Sequence, residues 1–467
     1  MTPTRGVIVG ALLLSAVALT VPPVASAHGL VGRLDLPVPQ WLFAWTAAVV
    51  LVVSFAGLSV GWSRTRFEGE VPTPTRSLTV PRWLEAAAGA AGVLAFMLVV
   101  VAGVFGEQDA ARNLAPTAVY VVFWVATPAL SLLLGDVFRA ISPWRAVARA
   151  LRFSEVSATH VYPPRLGRFP AAATIVLFAW VELVAPFGDE PRVVALLAVG
   201  YFAAQLWGMR RYGIEHWLRN ADGFAVAFSL IAAMAPVWWK DGRVGFRLPL
   251  AGLAQVATPR GTLAVLCAMI GTTSFDGASQ GGLWTTISPD VVSWLGDVGL
   301  GAEVARAVVD TLGLAFCVAL IAGLYAIAVS GMAALRPGVD KGKLGERFAH
   351  SLVPIALAYV VAHYFSLVIF QGQALAFMIS DPLATGSDLL GTADARVDLN
   401  AVSTSVIWYV QVGALIAGHV AGLVLAHDRS LVIFRSHRDA VRSQYWMLAV
   451  MVGYTCLGLW LLSAVGT

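Results

Sequence analysis

Between Arg347 and Asp381 the chain reads FAHSLVPIALAYVVAHYFSLVIFQGQALAFMIS, with no Asp, Glu, Lys or Arg inside. An uncharged run of that length suffices to cross a bilayer as a helix. A second such run lies between Asp398 and Asp428. The short acidic segment joining them predicts a hairpin of two membrane helices. Further apolar runs fall at about 41–62, 83–105, 114–135, 170–187, 192–208, 222–239, 256–275, 306–334 and 445–466. Each is near the length of a spanning helix. With 58% hydrophobic and 12% charged residues the chain lies outside the range of soluble domains. The expected fold class is therefore all-α: a polytopic integral membrane bundle of about 10–12 transmembrane helices, forming one domain over residues 28–467.

Residues 1–27 have the layout of a secretory signal: Arg5, an apolar run from Gly6 to Val21, then Ala25-Ser26-Ala27 as a small-residue cleavage site. Cleavage leaves His28 as the N-terminus; an uncleaved anchor is the competing reading. Either puts His28 outside the cytoplasm, and the charges then alternate. Arg64, Arg66, Arg76 and Arg82 fall inside, Glu107 and Asp109 outside, Arg139 to Arg168 inside, Asp189 and Glu190 outside, and Arg210, Arg211 and Arg219 inside. Past residue 222 a strict count inverts the rule for the basic segments around Lys341 and Arg435. Parity returns if a segment within 222–275 enters and comes back on the same side or if a further crossing is hidden nearby; a plain exception to the rule is the remaining reading. Pro236, Pro249 and Pro259 suit such a re-entrant element, which needs protein or a wet cavity around it. The location implied is a bacterial plasma membrane, multi-pass, with an extracytoplasmic N-terminus.

Because the 31 basic residues cluster in short loops, they read as topology signals facing lipid. They do not form a nucleic-acid-binding face, and no segment advertises a partner subunit. Cys267, Cys317 and Cys456 stand far apart within apolar runs, without metal-ligand spacing. Ser142-Pro143-Trp144-Arg145 suggests an amphipathic segment at the interface.

Candidate site residues are the polar groups at membrane depth. Tyr359, His363 and Ser366 share a helical face, and Gln411 and His419 lie on the next helix. At about 1.5 Å per residue, His363 stands about 20 Å and His419 about 10 Å from their shared end, which disfavours one haem held by both. Hydrogen bonding between helices competes with a functional role for each. Asp276 lies in Ser274-Phe275-Asp276-Gly277, where the expectation is either a turn closing the helix or a carboxylate at a cavity mouth. His28, through its amine and imidazole, together with His363, makes a candidate site for a divalent metal. Gly277-Ala278-Ser279-Gln280-Gly281 matches a nucleophile-elbow pattern but lacks the strand that such an elbow needs.

The segments AHGLVGRLDLPVPQWLFAW, GTTSFDG, LVPIALAYVVAHYFSLVIFQGQ, WYVQVGALIAGHVAGLVLAHDRSL and SQYWMLAVMVGYTCLGLWLL resemble a bacterial integral membrane family labelled fenitrothion hydrolase. The resemblance spans nearly the whole mature chain and implies hydrolysis of an organophosphate triester. It brings no catalytic residues with it, so His363 and Asp276 stand as the candidates from the residues alone. Two other classes fit the same polar groups: a transporter or permease whose pathway they line, and a membrane metal or redox protein.

Overall fold

The computed structural model describes residues 40–68, 77–153, 158–240, 242–336 and 338–464. The expected signal segment, residues 1–27, and His28 lie outside the described residues. The fold is an all-α membrane bundle, with one small sheet among the described residues. Its longer helices are α1 (Gln40–Gly61), α2 (Arg82–Phe105), α3 (Leu114–Leu134), α4 (Phe169–Leu183), α5 (Pro191–Tyr212), α6 (Gly223–Ala232), α7 (Thr262–Ser279), α8 (Gly282–Asp297), α9 (Ala302–Ala333), α10 (Val353–Ser380), α11 (Thr404–Ile433) and α12 (Tyr445–Ala464). By length and composition, α2, α3, α5, α9, α11 and the Lys341–Ser380 segment containing α10 are able to cross a membrane.

Contacts sort the connections into two ends. At one, β1 (Ser77–Thr79) pairs antiparallel with β3 (Arg243–Phe246), which pairs with β2 (Val237–Lys240). At that same end Arg149 reaches Glu85 at 3.0 Å, the Arg168 amide donates to Arg260 O, and Arg429 donates to Ala254 O. At the other end the Glu107 amide donates to Leu383 O and the Arg192 amide to Gln108 Oε1.

The region 222–275 resolves the parity problem. Ten residues of α6 rise only about 15 Å, half a bilayer core. Asp222, its N-cap, accepts from Trp144 Nε1 at 2.7 Å and Tyr201 OH at 2.9 Å. The chain leaves α6 through Pro236 directly into the sheet, returning to the end from which it came. Helix α7 then starts at that end, and every later connection carries the sign that the charge pattern requires. Trp144 belongs to the Pro143–Ala150 helix and is buried, so this amphipathic segment is tied to α6 rather than merely lying on the surface.

Two packing features place the site. Helices α10 and α11 touch backbone to backbone, because a Cβ at Gly418 would lie 2.3 Å from Ala358 Cβ and 2.7 Å from Pro354 O. Gly422, one turn on, faces Ser351 O, so a small-residue stripe sets the hairpin's closeness. In α3 the stretch Thr117–Ala126 is π-helical and packs on α10. Such segments are rare and displace side chains from ordinary helical register.

One polar cluster serves architecture. Asp428, fully buried, accepts from Trp62 Nε1, Arg66 N, Phe67 N and Glu68 N at 2.7–3.0 Å. Arg429 pairs with Glu68 at 2.5 Å, and His427 Nε2 donates to Trp62 O. These consecutive residues fasten the connection after α1 to the end of α11. Burial pushes the Glu68 carboxyl above its ordinary 4.5, while Arg429 pulls it back down.

Candidate functional site

Helix α7 runs through Asp276 and Gly277 to Ser279, so the expected turn at that dipeptide does not form. The reason lies in the Asp276 side chain, which is held across the helix interface by α10 rather than capping its own backbone. Its Oδ2 accepts from Tyr364 OH at 2.7 Å and lies 2.8 Å from His363 Nε2. Asp276 is 1% exposed, at the back of the site rather than at a cavity mouth. The stretch between the apolar runs at 256–275 and 306–334 is also largely helical, as α8.

His363 is the hinge of this arrangement. With Nε2 turned to the carboxylate, its Nδ1 edge passes over Gly277, where a Cβ would sit 3.6 Å away. The imidazole also lines a cavity of about 60 Å³ between α7, α9, α10, α11 and α12. Thr273, Ser274, Cys317, Tyr359 and Tyr454 contribute to its walls, which are otherwise apolar. The volume is enough for ordered water. Ser274 Oγ donates to Ile270 O and stands 2.5 Å from Tyr454 OH, whose ring stacks on Tyr359. A carboxylate behind an imidazole fixes its tautomer and stabilises the imidazolium formed when it takes a proton.

Of the sequence-predicted residues, Asp276, His363 and Tyr359 come together here. Ser366 is buried in α10 and Gln411 in α11; neither lines this cavity. His419 packs its ring against Tyr359, one turn nearer the sheet end than His363. The His28–His363 pairing lies outside the described residues. Among the described residues no group of three or more His, Cys, Asp or Glu is placed to hold a metal ion, and His363 is engaged with a carboxylate. The described donors thus do not fit a metal ion held by three such side chains.

Tyr364, Tyr454 and Ser274 were not singled out from sequence. Tyr364 adjoins His363, yet only the packing of α7 on α10 turns consecutive residues toward one carboxyl oxygen. Glu182, from α4, stands close enough to interact with Asp276, adding a second carboxyl to the cluster. The chain matches no protein-family model, no curated protein and no solved structure.

Proposed function

We propose that this protein is a membrane-embedded hydrolase acting on a small lipophilic ester, with organophosphate triesters the class that the sequence resemblance implies. The observation that carries the reading is the placement of His363, between a buried carboxylate on one side and a cavity on the other. His363 accepts a proton from a water in the cavity as that water attacks the ester's central atom; the bond to the leaving alkoxide or phenoxide breaks, and the proton passes from the imidazolium to that leaving group or to solvent. Asp276 holds the ring and offsets the positive charge that it gains. Tyr364, sharing the same oxygen, fixes the carboxylate. Ester entry requires side chains to part around the cavity, because its present volume suits water.

A second reading, a proton-coupled carrier, is favoured by one observation: the half-length helix α6, which enters and returns within the bundle. There the His363–Asp276 pair binds a proton without turnover. We further place the chain in a bacterial plasma membrane, with the sheet end in the cytoplasm and the N-terminus outside. The charge sorting described above supports this orientation.

The deciding experiment uses the full chain in nanodiscs with a nitrophenyl phosphotriester, following nitrophenolate release. The unaltered protein is expected to turn over, and His363→Gln to lower kcat by about 10²–10⁴-fold, the usual contribution of a general base. Asp276→Asn is expected to fall between them. Release no faster than His363→Gln would overturn the hydrolase. Proton flux in proteoliposomes, lost in that variant, would then establish the carrier.

A further inference from the structure

A second cavity, of about 70 Å³, lies beside the first, sharing Ile321 and Tyr454 as walls. Its lining is apolar apart from a few groups, and almost all of these are committed. Ser351 Oγ donates to Phe348 O, Tyr325 OH to Gly345 O, and Tyr454 OH meets Ser274 Oγ. His419 is the exception. Its Nδ1 donates to Leu415 O at 2.7 Å, which fixes the tautomer and leaves Nε2 a bare lone pair. That Nε2 is buried and makes no hydrogen bond, in a residue that is 0% exposed and lines the cavity.

A buried acceptor without a donor is costly, so its retention in the tightest part of the hairpin calls for an occupant. A water donating to Nε2 satisfies the nitrogen but is offered no donor in return, because the hydroxyls of Ser351, Tyr325 and Tyr454 spend their hydrogens elsewhere, and it matches none of the apolar walls. The other walls, including Leu324, Met447 and Val450, ask for hydrocarbon. Leu324 and Val450 are only partly buried, and Ala322, Gly323, Ala326 and Ile327 beside them on α9 are exposed. The cavity therefore sits near the outer surface of the bundle, on the α9–α12 side.

We propose that this cavity binds the hydroxyl end of a neutral lipophilic alcohol, its O–H donating to His419 Nε2 and its hydrocarbon leaving between α9 and α12. The inference does not need the hydrolase reading, because binding is read without turnover.

The test is photolabelling of the full chain in detergent with a diazirine-bearing octanol, mapping labelled peptides by mass spectrometry. Labelling is expected on α9 or α12 at the cavity walls. Competition should need about tenfold less 1-octanol than methyl heptyl ether, a matched chain without the donor, as expected for one net hydrogen bond. His419→Leu is expected to erase that preference while leaving both competitors effective, and His363→Gln to preserve it. Equal competition by alcohol and ether in the unaltered protein would overturn the proposal even if His419→Leu fails to fold. So would a preference that survives in a folded His419→Leu. Displacement of the probe by stoichiometric Cu(I), lost in Met447→Leu and Met451→Leu, would replace the alcohol with a soft metal ion.

Discussion

Asp428 and Asp276 are both enclosed carboxylates, and their neighbours separate their roles. Around Asp428 stand three backbone amides and an indole, groups that accept no proton at any accessible pH. Its work is to tie a connection down. Replacing it by Ala leaves those donors short of an acceptor at a cost of about 1–3 kcal/mol, partly relieved by water reaching the exposed Arg66. Asp428→Ala is expected to lower the melting temperature in detergent and to open the 62–68 segment to protease, with nitrophenolate release per folded molecule unchanged. Asp276 instead meets an imidazole and a phenol across the α7–α10 interface, where the proposed chemistry takes place. Substitution there is expected to leave melting closer to the unaltered value than Asp428→Ala does, and to strike activity.

Helix elements are held by close approach in one place and by loop hydrogen bonds in another. The α10–α11 hairpin depends on the absence of side chains at Gly418 and Gly422. Because a Cβ at residue 418 would overlap Ala358 and Pro354, Gly418→Ala must push the helices apart, and Gly418→Leu more so. The expected result is a graded fall in thermal stability, together with loss of the alcohol preference assigned to His419, its neighbour. In the connection between α10 and α11, Asp381 accepts from Thr385 N, Gly386 N and Ser387 Oγ. Asp388 accepts from Ser380 Oγ and Ala393 N. These bonds hold both carboxyls below their ordinary 3.8, led by the Ser387 and Ser380 hydroxyls respectively. Depressed carboxyls stabilise the loop above pH 3.8 and cease to do so as pH falls through their folded values. Limited proteolysis by pepsin is therefore expected to cut 381–398 increasingly as pH drops below about 3.8, and Asp388→Asn to loosen the loop at higher pH.

For the whole molecule, the distribution of charge is decided by a helix that fails to cross. If α6 were a full span, the segments around Lys341 and Arg435 would lie opposite Arg139 and Arg210. With α6 returning, all of them share the sheet end, and Asp189, Glu190 and the Asp381–Asp398 connection share the other. Cysteines introduced at Arg243 and at Leu389, in a background with Cys267, Cys317 and Cys456 replaced, test this directly. In intact cells an impermeant maleimide is expected to label position 389 and to reach 243 only after lysis. Labelling of position 243 but not 389 from outside would place the sheet on the outer face and reverse the orientation.

The sequence determined the fold class, because uncharged runs of spanning length leave helices as the available solution in hydrocarbon. It also located a region, 222–275, where a simple count of crossings breaks charge parity, leaving a re-entrant segment, a further crossing or an exception to the rule as the readings. It marked His363, Tyr359 and His419 as polar groups at depth, for the plain reason that such groups are costly in a membrane, and Asp276 as a carboxylate at the end of an apolar run. Only the tertiary structure decided which of them act together. Whether Asp276 closes a turn or crosses to His363 depends on how α7 packs against α10, and local propensity favours the turn. That His419 has a bare nitrogen follows from a bond to its own helix and from the cavity beside it. The His427-Asp428-Arg429 clamp binds residues some 360 positions away. Periodicity reports which face of a helix is polar; it carries no information about which other helix that face will meet.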